Sequence, residues 1–324
     1  MLVPQDRFRL RKQVQGRSSS CGGALSEVKA FRSTRQQVAL LETRGMDVGD
    51  HDAAVELLRR VSYYRLSGYW YSFRRLRSGH RSDDFAAGTR LADVVSLSDF
   101  DARLRTTVFD AIAPIELAVR AALGHELGRL DPCAHLEPAL LGVLARSGDQ
   151  YADWRRRHDR EVGRSREDFV EHHRLAYGGT LPVWAAVELM DWGSLSRLFG
   201  FAPLMVQTEV AGAFGLRPPQ FASWLRALNV VRNACAHHGR LFNRVYPKRP
   251  RLPRGGTHDG LDLAAHAMNR TYGQLTLVQY LRQASGIGPS RLLAGAMAAY
   301  PPIALVPFEQ TGAPADWNAT SLWP

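Results

Sequence analysis

Residues Ser98–Leu127 read SDFDARLRTTVFDAIAPIELAVRAALGHEL, and this stretch decides the fold class. Phe100, Leu104, Val108, Ile112, Ile115, Val119 and Leu123 recur every three or four residues, the spacing that lines one face of an α-helix. The spacing predicts a long buried helix over about 98–127. Pro114 inside it removes one backbone donor and predicts a kink. Working outward, residues 33–45 and 51–61 read as two short helices, the first stopped by Gly45 and the second capped by Asp50. The block Tyr63-Tyr64-Arg65-Leu66-Ser67-Gly68-Tyr69-Trp70-Tyr71 follows, and residues 78–90 read as a polar loop.

Downstream, residues 150–176 mix arginines with acids and read as a solvated helix face. Leu181-Pro182-Val183-Trp184 opens a helix running to about Phe199, with Pro182 suited to its first turn. Pro218-Pro219 opens another, predicted to end at His238 because Gly239 follows. Residues 246–256 form a basic, proline-rich loop. Residues 261–285 and 289–299 read as closing helices, and 312–317 as extended chain. Little β-type alternation and no fixed-period repeat are visible. The expectation is an all-α protein with a disordered basic tail over 1–24 and a single domain over 25–324.

Composition limits what such a chain does. Its 45% hydrophobic and 23% charged residues are ordinary for a globular protein. No apolar run approaches the roughly 20 residues of a membrane span, and no signal-peptide core opens the sequence, so the expectation is a cytoplasmic location without membrane partners. Cys21, Cys133 and Cys235 lie far apart, which supports neither a zinc knuckle nor a disulfide framework. Cys235 is expected to be a small core residue. The net charge of +11 is unevenly spread. Residues 1–35 carry eight basic and two acidic side chains, and residues 210–258 carry nine basic and no acidic ones. Only three of the 42 basic residues are lysine, and arginine's planar fork suits phosphate. An acid-free segment of that length points to a polyanionic partner.

That segment contains Arg232-Asn233-Ala234-Cys235-Ala236-His237-His238-Gly239-Arg240. A guanidinium can hold a phosphate and offset charge building on it, and an imidazole can move protons near neutral pH. RNA carries its own nucleophile, the 2′-hydroxyl, so an arginine, an amide and a histidine are parts enough for strand cleavage without a metal or cofactor. The candidate catalytic residues are Arg232, Asn233, His237 and His238. On an ideal helix Arg232 and His237 project about 140° apart. They meet only if Arg232 curls round, if the last turn loosens, or if a second copy of the helix supplies the missing group across a two-fold axis. Arg232 lies on the apolar stripe and needs an acid or a polyanion. Glu116 is a candidate, although it also sits four residues before Arg120. An arginine in a core ion pair, with two histidines closing a helix end, fits the same letters. Arg65, Arg226, Arg240, Arg244, Lys248 and Arg249 are the candidate RNA-binding cations. The aromatic block 63–71 serves either to stack on bases beside Arg65 or to pack the fold.

Several segments together resemble a family. Tyr63–Trp70, Phe100–Arg105 with Ile115-Glu116 and Arg120, Leu181–Trp184 with Gly193-Ser194-Leu195-Ser196, Arg232-Asn233 with Cys235–His238 and Arg240–Arg244, and the closing Gly312–Trp317 occur in the order seen in Abi-like abortive-infection proteins. These are the AbiD/AbiF group of the HEPN superfamily. Asp191-Trp192-Gly193 departs from the pattern, and the tail before residue 25 lies outside it. The resemblance implies a HEPN-type helical bundle with additional N- and C-terminal helices. It also implies a metal-independent endoribonuclease of phage defence, with Arg232 and His237 as the Arg-x4-His pair, Asn233 beside them, and a homodimer completing the site. A small non-coding RNA or an antitoxin are the further partners it implies. Alternatives are a non-catalytic protein that holds a regulatory RNA, and a helical partner for another protein.

Overall fold

A computed structural model describes residues 29–324, so the tail expected over 1–24 lies outside the described residues. The chain is all-α. The described residues contain fourteen α-helices, six short 3-10 turns and one two-stranded sheet. In chain order the elements are α1 (Thr34–Thr43), α2 (His51–Arg60), α3 (Tyr63–Trp70), β1 (Arg74–Arg77), β2 (His80–Phe85), α4 (Leu91–Gly128), α5 (Val143–Arg146), α6 (Gln150–Arg164) and α7 (Asp168–Ala176). They continue with α8 (Val183–Ala186), α9 (Trp192–Phe201), α10 (Leu204–Gly212), α11 (Pro218–Ala236), α12 (Asp259–Ala264), α13 (Thr271–Ala284) and α14 (Arg291–Ala298).

Helix α4 is the axis. Its 38 residues span about 57 Å. All seven apolar positions that predicted it are at most 1% exposed, and α3, α8 to α11, α13 and α14 pack on it. The helix continues through Pro114. Beside the proline, Arg282 of α13 donates to the Ala111 carbonyl at 3.2 Å. The caps of the first helices are as expected. Asp50 accepts from the Ala53 amide at 2.7 Å, and Gly45 takes up the left-handed conformation just past α1.

Four expectations need correction. The helix expected over 261–285 is broken between α12 and α13, where residues 268–270 form a turn. The segment read as a polar loop over 78–90 contains a strand, and β1 and β2 form an antiparallel hairpin. Its strands are polar and only Phe85 among them is buried, so no apolar alternation marks them, and cross-strand pairs such as Arg77–Asp84 at 3.3 Å take the place of packing. The helix expected from Leu181 to Phe199 is broken at Met190-Asp191, where Asp191 turns extended and caps α9 by accepting from the Ser194 amide at 2.8 Å. The helix expected to end at His238 ends at Ala236, and His238 rather than Gly239 takes the left-handed conformation, at φ 55°.

The last of these positions the site. The His238 amide donates to the Cys235 carbonyl at 3.3 Å and the Gly239 amide to the Ala234 carbonyl at 2.6 Å. This is the paired closure that satisfies terminal helix carbonyls, with His238 where glycine is usual. Gly239 serves differently: a Cβ there would meet the Cα and carbonyl oxygen of Ala234 at 3.2 Å.

Candidate active site

Helix α11 places the Arg-His run. Its apolar stripe, Phe221, Trp224, Leu225, Leu228, Val231 and Cys235, is buried in the core. Cys235 is a small core residue as expected, and burial pushes its thiol up to about 12. Two fastenings hold neighbours against α11. The Trp192 indole N–H donates to the Leu225 carbonyl at 2.7 Å and docks α9 alongside. The Trp224 indole donates to the Arg251 carbonyl at 2.8 Å, and the Arg251 amide to Ser223 Oγ at 2.8 Å, which ties down the basic, proline-rich loop.

Between α9, α11 and that loop lies a cleft of about 610 Å³. Arg232, Asn233 and His237 all line it. His237 has left helical geometry at the end of α11 (φ −102°, ψ 21°), which turns it away from its ideal-helix direction, and both residues face the same cleft. Among the anticipated RNA-binding residues, Arg226 and Lys248 line the same cleft. With Arg157 and Arg197 they give five cations on its walls, including Arg232, against one carboxylate, Asp191. Arg157 already holds that carboxylate at 2.7 Å. Arg249 is exposed on the loop beside Lys248.

Arg232 is held at its base. Its Nε lies 3.6 Å from Glu116 Oε2, and its guanidinium sits 5.4 Å from the centre of the Phe109 ring. Both readings of Glu116 hold together, since its other oxygen accepts from Arg120 Nη2 at 2.7 Å. Arg120 is fixed in turn by the Met190 carbonyl at 2.9 Å. Glu116 therefore gives Arg232 a counter-charge without a hydrogen bond, the buried Arg232 Nε having no hydrogen-bond partner, while Arg120 fixes Glu116 from the α8–α9 connection.

His238, Arg65, Arg240 and Arg244 lie elsewhere. His238 is exposed and outside the cleft lining, and Arg65 of α3 donates to its carbonyl. Arg240 donates to the Gly68 carbonyl, and desolvation by burial pulls its guanidinium down from the usual value. Arg244 lies 5.6 Å from the centre of the Tyr246 ring. These three arginines fasten the chain that leaves the site.

Sequence reasoning missed the clamp beneath that chain. Asp101, buried in α4, accepts from the Leu241 amide at 3.1 Å, the Phe242 amide at 2.7 Å, the Tyr69 hydroxyl at 2.7 Å and Arg105 at 2.5 Å. Burial pushes its carboxyl up, and these four donors oppose that. The Tyr69 hydroxyl is pushed up to about 12 by burial and by Asp101. Asn243, left-handed at φ 49°, adds contacts to Ser72 Oγ at 3.0 Å and Arg270 at 2.6 Å. Asn229 was also missed. It lines the cleft one turn before Asn233, and its buried Oδ1 has no hydrogen-bond partner. Its position four residues before Asn233 was the available signal.

The sequence profile of the Abi-like protein family matches residues 56–243, from α2 to the turn held by Asp101. The chain belongs to the Abi-like protein family. The matched span contains the cleft residues from Arg157 to His237, and the clamp. No curated protein and no solved structure matches the chain. Membership points to abortive-infection phage defence. In this Abi-like chain no helix among the described residues is long and apolar enough to cross a membrane.

Proposed function

We propose that this Abi-like protein is a metal-independent endoribonuclease toxin that cleaves RNA at Arg232 and His237. One observation carries the reading: guanidinium, amide and imidazole share one cleft whose walls hold five cations and one carboxylate. Phosphodiester RNA is the polymer that such a wall attracts and that such side chains can cut.

The chemistry needs three acts. The His237 imidazole takes the proton from a ribose 2′-hydroxyl. The 2′-oxygen then bonds to the adjacent phosphorus while the bond from phosphorus to the 5′-oxygen breaks. Arg232 offsets the charge on the non-bridging oxygens, and an imidazolium returns a proton to the leaving 5′-oxygen. Asn233 and Asn229 offer amides to orient the ribose or phosphate. The products are a 2′,3′-cyclic phosphate and a 5′-hydroxyl. A homodimer would bring a second Arg-His set, letting one histidine act as base and the other as acid. His238 is not needed in this scheme. Small RNAs and an antitoxin are regulators compatible with it, and the cytoplasm is the compartment where its substrate resides.

The second reading is a non-catalytic RNA-binding protein. The Glu116 counter-charge 3.6 Å from Arg232 Nε favours it, because it offsets part of the charge that a transition state would draw on. Incubating purified protein with end-labelled RNA in EDTA separates the two. Arg232→Ala and His237→Ala should each abolish cleavage with an unchanged circular dichroism spectrum. Cleavage retained in both would remove these residues from the mechanism. Unchanged biological activity in His237→Ala, with loss in Arg232→Glu, would favour the binding protein. Absence of any salt-dependent RNA affinity would leave only a protein-binding role.

A further inference from the structure

The segment Leu57–Ser82 contains seven arginines and no acid, a second acid-free stretch besides the one that holds the Arg-His run. In the fold the two stretches meet. Arg65 donates to the His238 carbonyl and Arg240 to the Gly68 carbonyl, so the far end of α11 and the helix α3 are fastened to each other. The aromatic block on and just after α3 divides around Tyr63, which is half-buried against Trp70. Tyr69 and Trp70 are buried at 1% and 0% exposure, whereas Tyr64 and Tyr71 are 68% and 50% exposed. Packing accounts for the first pair and not for the second.

Around the exposed pair the surface is cationic. Tyr64 lines a pocket of about 560 Å³ together with Lys29, Arg32, Arg44 and Arg74. The one carboxylate lining it, Asp83, is shared by Arg44 at 2.8 Å and Arg74 at 3.1 Å. Tyr71 lies beneath two guanidiniums, those of Arg74 and Arg81, at 5.8 and 5.7 Å from its ring centre. Arg81 is fixed there by the Ser72 and Arg74 carbonyls, each at 2.8 Å. Arg75 and Arg77 are exposed on the hairpin beyond.

We propose that this α3–hairpin surface binds single-stranded RNA flanking the cleft. The exposed ring of Tyr64 offers a face for an unpaired base, and the surrounding arginines, including those over Tyr71, offer charge to the phosphates beside it. Bases within a duplex are already stacked, so the ring of Tyr64 selects single strands. The pocket size suits one nucleotide unit. The Arg65–His238 contact sets α3 beside the end of α11 that carries His237, which is the path proposed for a strand leaving the cleft. The inference rests on the RNA reading above and gives it a substrate class: an unpaired RNA longer than the cleft.

The test uses the full chain carrying His237→Ala, so that RNA is bound and not cut. Fluorescence anisotropy is measured with labelled single-stranded RNAs of about 6 and about 20 nucleotides, and with a duplex of the longer sequence. Tyr64→Ala should weaken the long single strand about tenfold and leave the short one unchanged. Tyr64→Phe should restore binding, and the duplex should not respond to either change. Lys29→Glu with Arg32→Glu, two cations of the Tyr64 pocket wall outside the hairpin, should weaken the long strand and flatten its salt dependence. Long-strand affinity unchanged in both Tyr64→Ala and the double glutamate variant would overturn the platform while leaving the cleft reading intact. No salt-dependent binding of either RNA by the parent would overturn the RNA reading itself, and the platform with it.

Discussion

Asp101→Asn tests whether the turn after the Arg-His run is held from α4. The substitution keeps an oxygen for the Leu241 and Phe242 amides and removes the charge that Arg105 faces at 2.5 Å. Arg105 is 8% exposed, so its guanidinium is left nearly dry without a counter-charge. Stranding a buried charge in this way costs about 3–5 kcal/mol, and retaining the amide contacts places Asp101→Asn near the lower figure, about 3 kcal/mol. Asp101→Ala additionally strands two backbone N–H groups, at about 1–3 kcal/mol each, and should fail to fold or unfold at room temperature. Arg105→Met leaves the carboxylate with three remaining donors and should cost about 2 kcal/mol. The double variant Asp101→Asn/Arg105→Met strands neither charge. Urea unfolding followed by far-ultraviolet circular dichroism should give a coupling energy of about 2 kcal/mol between the two sites. Additivity within about 0.5 kcal/mol, or a single-variant cost under about 1 kcal/mol, would refute the claim that this ion pair organises the turn.

Other expectations follow from the same contacts. His238→Gly should keep RNA cleavage and the fold, because glycine accepts the left-handed backbone that His238 occupies. His238→Val should lower stability by about 1–2 kcal/mol in the same urea assay. Glu116→Gln should reduce cleavage less than Arg232→Ala does, with the loss in kcat rather than KM, since Glu116 positions the guanidinium from below. Stability should also fall in acid. His135 is wholly buried, and desolvation chiefly, with the charges of His158 and Arg155, lowers it from 6.5 to about 3. Its imidazole stays neutral in the fold while the unfolded chain takes up a proton near pH 6.5. Stability is therefore full above that pH and falls by about 1.4 kcal/mol per unit between pH 6.5 and 3. His135→Leu should flatten that slope in urea midpoints measured across pH, and an unchanged slope would contradict the assignment.

The parts of the fold that could be read in advance were those with a sustained period. Helix α4 announced itself because Phe100 to Leu123 hold one apolar face over seven positions, all of which are buried. Asp50 and Pro218-Pro219 marked helix starts because a cap or a fixed φ acts locally. The β1–β2 hairpin gave no such sign, since both its faces are largely wet and its pairing depends on Arg and Asp side chains. The end of α11 was misplaced because Gly239 is the residue that sequence rules favour for the left-handed position. Here Gly239 is required for its close approach to Ala234, and His238 carries the left-handed backbone instead. In the site, Arg232, Asn233, His237, Arg226 and Lys248 were anticipated and share the cleft. Arg65, Arg240 and Arg244 were expected to touch RNA, yet Arg65 and Arg240 bind backbone carbonyls and Arg244 lies over Tyr246. Arg157 was hidden in a run that looked uniformly solvated. The Asp101 clamp joins residues 140 positions apart, a separation at which no spacing rule operates.

The most direct measurement is the chemistry of the ends left on a labelled RNA after incubation with the purified protein in EDTA. The account predicts a 2′,3′-cyclic phosphate on one fragment and a 5′-hydroxyl on the other, both absent with Arg232→Ala or His237→Ala. A 5′-phosphate with a free 3′-hydroxyl, or identical ends from both variants, would contradict it.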